Sequence, residues 1–243
     1  MDSNIDAFLE AWPRFQEGIV TTVYLTLGGA ALAFALALVL GVAAGSRFML
    51  TRGVSRTIVE FFRGTSLLVQ LFWLFFVLPL LGYELDPLFC GILALGLNYG
   101  AYAAEVVRGS LAAVPAPQWE AALALNFTSW QRLYRVVFPQ AWVQMIPPLN
   151  NLLIQLLKGS ALASFILLQD LTFHIGELRR VTGDTVFAFG IGLVLYFLIA
   201  YVLTLFMNML EVGAKSRLGV GPSMREVLSL RPERVDEAVG VGR

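Results

Sequence analysis

Apolar residues along this chain fall in long, continuous runs. Five stretches, 19–45, 57–81, 88–111, 143–168 and 186–210, are long enough to be transmembrane helices, because a helix needs about 20 apolar residues to cross the hydrocarbon core. A membrane β-barrel would instead show segments of about 10 alternating residues. The pattern predicts an all-α integral membrane fold with five transmembrane helices.

Four connections join the stretches. Segment 46–56 carries Arg47, Arg52 and Arg56, and segment 82–87 carries only Glu84 and Asp86. Segment 112–142 is long and carries Arg132 and Arg135, while 169–185 is mixed, with Asp170, Glu177, Arg179, Arg180 and Asp184. The tail after Leu210 is basic, with Lys215, Arg217, Arg225, Arg231, Arg234 and Arg243. Cationic loops stay on the cytoplasmic side, so the alternation predicts the N-terminus outside and the C-terminus inside, an odd number of crossings. Arg179 and Arg180 are the exception, since this scheme places them outside. Residues 1–18 are then a short extracytoplasmic segment, 19–211 the membrane domain and 212–243 a polar cytoplasmic tail. Asp2, Asp6 and Glu10 precede any basic residue, whereas a signal peptide starts with positive charge, so the first apolar run is expected to be retained.

Composition agrees. Of 243 residues, 58% are hydrophobic and 14% charged, against roughly 25% charged in a soluble domain; mean hydropathy is +0.73. Formal net charge is zero, which gives no reason to expect nucleic acid as a partner. The single cysteine, Cys90, and single histidine, His174, exclude an internal disulfide and Cys- or His-cluster metal sites. His174 falls in an outer connection and is expected to be an inert surface residue. With no carboxylate cluster either, a membrane enzyme has little to work with, and a secondary transporter would usually show an intramembrane repeat, which is not visible. The chain has no G-x-x-x-x-G-K-[ST] phosphate loop, so ATP binding belongs to another chain.

The loop at 112–142 is long for a connection between helices. Pro115 and Pro117 break the preceding helix and allow a new one to start. Residues 118–125 are good helix formers without glycine, and Trp119, Leu123, Phe127 and Trp130 make a bulky stripe at spacings of 3 or 4. Ala121, Ala122 and Ala124 leave part of the surface thin. Asn126 is a plausible stop, because Asn tolerates the left-handed conformation that ends helices, and Pro139 marks the return to the membrane. The result is a short helix across the cytoplasmic face. It either anchors the loop at the interface or fits into a partner.

Glu120-Ala121-Ala122, Asn126 and Pro139 resemble the EAA loop of bacterial ABC importer permeases, in which Gly usually stands at the position of Asn126 and an aliphatic at that of Phe138. Segments 60–70 (EFFRGTSLLVQ), 97–109 (LNYGAYAAEVVRG) and 155–162 (QLLKGSAL) are similar, in order, to segments of the polar amino acid permeases of this class. Ser66, Gly159 and Ala161 depart from the usual residues. The Lys158–Leu162 variant resembles that of permeases for ectoine-like solutes. The resemblance implies a type I importer permease in the bacterial plasma membrane. Two permease subunits, the same or related, would form the pathway for a small polar solute. An ATPase dimer carrying ATP and Mg would bind the EAA helix, a separate periplasmic or lipid-anchored binding protein would deliver substrate, and this chain would hold no cofactor.

The fourth apolar stretch is the most polar, with Gln144, Asn150, Asn151, Gln155, Lys158 and Ser160, and Pro147 and Pro148 interrupt its start. Asn151, Gln155 and Lys158 share a helical face and are candidates for the pathway. Asn and Gln offer donors and acceptors, and Lys a cation for a carboxylate. They equally suit hydrogen bonding between helices, and Lys158 could pair with Glu105 or snorkel. Asn98, mid-membrane beside Tyr99 and Tyr102, suits binding or packing. Glu60 with Arg63 and Glu105 with Arg108 are three apart. Each is an intrahelical pair or part of a packing or gate contact between helices. Gly41 and Gly45 form a GxxxG, a common match in apolar runs that permits close helix approach.

Overall fold

The computed structural model describes residues 2–217. It is all-helical, with no strand among the described residues. In order come α1 (Asp2–Ala44), α2 (Met49–Gly64), α3 (Leu67–Phe72), α4 (Pro87–Ala112), α5 (Ala116–Ala124), α6 (Ser129–Arg132), α7 (Phe138–Ser160), α8 (Leu171–Thr182) and α9 (Thr185–Arg217). Residues 218–243 of the tail lie outside the described residues.

Among the described residues, four helices are long and apolar enough to cross a membrane: Asn4–Ala44, Pro87–Ala112, Ser129–Ile166 and Thr185–Lys215. The second predicted span differs. It is two pieces, Met49–Gly64 and Leu67–Leu81, that meet at 98° and only together qualify as a fifth. The unbroken helix expected over 57–81 is therefore corrected. Gly64, Thr65 and Ser66 form a corner where Thr65 takes an extended backbone.

Prolines explain two further irregularities. A π turn at Trp73–Val77 precedes Pro79, and another at Leu133–Val137 precedes Pro139. Proline lacks an N–H and its ring crowds the carbonyl four residues back, here Phe75 and Arg135, both inside the widened turns. Helix therefore continues from Ser129 through Pro139, where the chain was expected to return to the membrane. Nor do Pro147 and Pro148 interrupt α7, which runs through both. The connection 169–185 is mostly the helix α8, capped by Asp170, whose Oδ1 accepts from the Phe173 amide at 2.9 Å. Gly183 ends α8 at φ 67°.

Small residues bring α1 and α4 together. A Cβ at Gly41 would lie 2.7 Å from the Ala104 carbonyl oxygen, and one at Gly96 2.5 Å from the Leu32 side chain. Gly41 of the GxxxG thus makes a close contact, while Gly45 is exposed. The first 15 or so residues of α1, expected as a separate segment before the span, extend the same helix. Phe15 there shares a buried cluster with Leu171, Ile175 and Leu178 of α8 and Ala188 of α9. His174 lies at that joint, 5% exposed and with Nδ1 2.8 Å from Glu177 Oε2, so the expected surface histidine is buried.

Candidate functional site

At the α5 end of the bundle, Pro115 starts a helix of nine residues that stops where the sequence indicates. Asn126 has φ 56°. The Phe127 amide donates to the Ala122 carbonyl at 3.1 Å and the Asn126 amide to Leu123 at 2.9 Å, the paired bonds of a Schellman ending. Thr128 then caps α6 in a capping box with Gln131. Ala122 is buried, and Trp119 packs against the buried cluster that includes Val114, Val137 and Ala141. Glu120, Ala121, Leu123 and Ala124 are exposed. The expected bulky stripe is split by the turn at Asn126: Trp119 and Phe127 face inward, while Leu123 and Trp130 face out. Gln140 donates to Gln118 Oε1 at 3.3 Å and ties α5 to α7 next to Pro139.

A second cluster closes the corner between α2 and α3. A helix end buried in a membrane leaves carbonyls that need donors. The Phe62 carbonyl accepts from Asn98 Nδ2 at 3.0 Å and from Gln70 Nε2 at 3.0 Å. Phe61 accepts from the Thr65 hydroxyl at 2.9 Å and Arg63 from the Tyr102 hydroxyl at 3.3 Å. Asn98 is buried and uses its amide here, away from the face of Asn151, Gln155 and Lys158. Sequence reasoning missed the capping role of Gln70, Thr65 and Tyr102, although Gly-Thr-Ser at 64–66 was a visible breaker.

The charged pairs are intrahelical. Arg63 meets Glu60 at 3.2 Å, and Arg108 grips Glu105 with Nη2 at 2.6 Å and Nε at 2.9 Å from Oε2. Arg63 also lies over the Tyr102 ring of α4, 5.3 Å from its centroid. Glu105 is fully engaged by Arg108, and among the described residues Lys158 makes no ion pair.

On α7, Gln144, Asn151, Gln155 and Lys158 are all exposed along one side, with Asn150 half-buried. The Tyr99 hydroxyl donates to the Gln155 carbonyl at 2.8 Å. Gly159 makes this possible, since a Cβ there would lie 2.6 Å from that hydroxyl. No group of three or more His, Cys, Asp or Glu side chains that could hold a metal occurs among the described residues.

Comparison with known proteins places this arrangement. Residues 19–215 match the family described as "Binding-protein-dependent transport system inner membrane component". The chain is 46% identical over 207 residues to the "probable amino-acid ABC transporter permease protein y4tF" of Sinorhizobium fredii, covering 83% of this chain and 84% of that protein. It is 37% identical over 201 residues to the "L-cystine transport system permease protein TcyB" of Bacillus subtilis, covering 82% and 86%. The solved structure of "an amino acid ABC transporter with histidines" superposes with TM-score 0.77 at 29% identity, over 84% of this chain and 95% of that one. With its set of membrane-length helices, the chain belongs to the binding-protein-dependent transport inner membrane component family: it is a multi-pass bacterial inner-membrane permease subunit of an ABC importer, a transport subunit and not an enzyme.

Proposed function

We propose that this subunit carries a polar amino acid, or a related small zwitterion such as an ectoine-like solute, along the polar face of α7. One observation carries the reading: Asn151, Gln155 and Lys158 are exposed on a membrane-spanning helix. An ammonium facing lipid costs about 2.5–3.5 kcal/mol, so such groups face protein or water. A face with a cation and two amides suits a carboxylate and an ammonium together. The names of the relatives support amino acids as the cargo. A second permease subunit, the same chain or a related one, would close the pathway opposite this face.

In the same reading α5 is the coupling helix. Glu120 and Ala121 present the contact to an ATPase dimer that carries ATP and Mg, Ala122 and Asn126 fix its shape, and Pro139 lies where it meets α7. The N-terminus faces outward, toward a periplasmic or lipid-anchored binding protein, and the C-terminus inward. The pairs Glu60–Arg63 and Glu105–Arg108 neutralise charge where the two halves of the broken span meet α4, and Asn98 serves as a cap. This chain holds no cofactor and contacts no nucleic acid.

The test is reconstitution of the importer with its ATPase and binding protein in vesicles. Glu120→Lys is expected to abolish substrate-stimulated ATP hydrolysis with the permease still in the membrane. Wild-type stimulation in this variant would remove α5 from the coupling path.

A further inference from the structure

The buried polar residues of this chain concentrate at one joint remote from α5. Thr22 and Thr26 of α1, Ser160 at the end of α7, and Asp170 and His174 of α8 are all buried, with Asp170 at 0% exposure. The Leu171 amide donates to Thr22 Oγ1 at 3.0 Å, and the Thr172 and Tyr196 hydroxyls lie 2.7 Å apart. Asp170 accepts from the Phe173 amide through Oδ1, while its Oδ2 has no partner.

We propose that Asp170 is a proton-binding site: protonated, its carboxyl locks α8 onto α1 and α9, and ionised, it loosens that joint.

The case rests on what surrounds the carboxyl. A buried anion is tolerated when a cation or enough donors meet it, and no cation does so here. On α8 itself His174 and Glu177 are paired with each other. From α1, Arg14 lines a cavity of about 30 Å³ beside His174 and Glu177, and the ion pairs among the described residues, Glu60–Arg63, Glu105–Arg108, His174–Glu177 and Glu211–Lys215, do not include it or Asp170. From α9 the phenol of Tyr196 faces Asp170, and beside that phenol the Ser160 hydroxyl at the end of α7 donates to the Leu157 carbonyl at 2.7 Å. Lys158, two residues earlier and so turned by about 200°, is exposed elsewhere. A proton removes the buried charge and turns Oδ2 into a donor among hydroxyl oxygens that can accept.

Asp170 falls between the spans that end at Ile166 and begin at Thr185. Burial pushes its carboxyl from 3.8 up to about 7, against the opposing pull of the Phe173, Thr172 and Asp170 amides and the nearby Thr172 hydroxyl. The sign follows from linkage. In the closed joint the acid holds its proton up to about pH 7, whereas in an opened joint it releases it near 3.8. Opening therefore becomes easier as pH rises through that window and changes little above it.

Two readouts on the complete importer in lipid nanodiscs test this. With ¹³C-aspartate labelling, infrared spectra of the wild type are expected to show a protonated-carboxyl band that titrates away near neutral pH. The band is absent in Asp170→Asn, and Thr172→Val moves its midpoint to higher pH. Hydrogen exchange of the α8 amides, corrected for intrinsic rates, is expected to speed up by as much as about tenfold per pH unit below 7 and to lose this dependence in Asp170→Asn. No carboxyl band titrating near neutrality, or unchanged pH dependence of exchange in Asp170→Asn, overturns the proposal. If Asp170→Asn does not assemble, the wild-type titration and its shift in Thr172→Val decide alone. Neither readout depends on what the importer carries.

Discussion

Helices α7 and α9 both cross the membrane and both leave a broad side uncovered within this chain, yet they uncover opposite chemistry. Along the middle of α9 the exposed residues include Leu193, Val194, Phe197, Leu198, Tyr201, Val202 and Leu205, with Asn208 the polar exception nearer its end. Its Thr204 hydroxyl turns back to the Ala200 carbonyl at 2.8 Å. Along α7 they are Gln144, Pro147, Asn151, Gln155 and Lys158. Lipid is a good solvent for the first set and a poor one for the second. On the proposed reading, exposure in this subunit has two meanings, a lipid boundary on α9 and a protein-facing or water-facing surface on α7.

The largest effect that could break this contrast comes from moving a charge. Leu198→Lys on α9 is expected to cost about 2.5–3.5 kcal/mol of insertion free energy and to cut the yield of membrane-integrated protein sharply, whereas Gln155→Lys on α7 inserts normally. Equal yields of the two variants would erase the distinction.

A loss of about 1–3 kcal/mol is expected for Asn98→Leu, which strips a donor from the buried Phe62 carbonyl. Thermal unfolding in detergent measures it, and an unchanged midpoint would mean that Gln70 suffices to cap the corner. Lys158→Ala should weaken apparent substrate affinity by about tenfold, or about 1.4 kcal/mol, without lowering expression. Unaltered transport kinetics would make Lys158 structural. Asn126→Ala places a Cβ-bearing residue without a local hydrogen bond at φ 56° and should cost about 1 kcal/mol, with Asn126→Gly close to neutral. Stability of the permease–ATPase complex to dilution separates the two. Tyr99→Phe, which loses one hydrogen bond to α7, should be the mildest at about 0.5–1.5 kcal/mol.

Much of this was legible in the amino-acid sequence, for identifiable reasons. Length and apolarity are local properties, so the spans of α4, α7 and α9 could be read directly. The stop at Asn126 was legible because left-handed backbone has a short list of residues. The corner at 64–66 was not, because what stabilises it is remote: Asn98 and Tyr102 belong to α4, and only the fold brings them to the carbonyls of α2. Pro147 and Pro148 misled for the converse reason. Widened turns and helix neighbours absorb a proline that would end an isolated helix. The helix α8 carried its own start and stop in Asp170 and Gly183, but its mixed charge hid the apolar face that packs on Phe15. His174 was assigned to the surface for the same reason. On the polar face of α7 the spacing alone gave the shared side. What it could not give was that Asn98 points elsewhere and that Glu105 is already satisfied by Arg108.

The most direct test of the central claim is thiol accessibility along both helices. In a background where the buried native Cys90 is replaced by alanine, single cysteines at Asn151, Gln155 and Lys158 on α7 and at Val194 and Leu198 on α9 would be exposed to a hydrophilic thiol reagent in the reconstituted importer. The account predicts labelling at the α7 positions, reduced by substrate-loaded binding protein with ATP, and little at the α9 positions. Equal, low labelling on both helices would contradict a water-accessible pathway on α7.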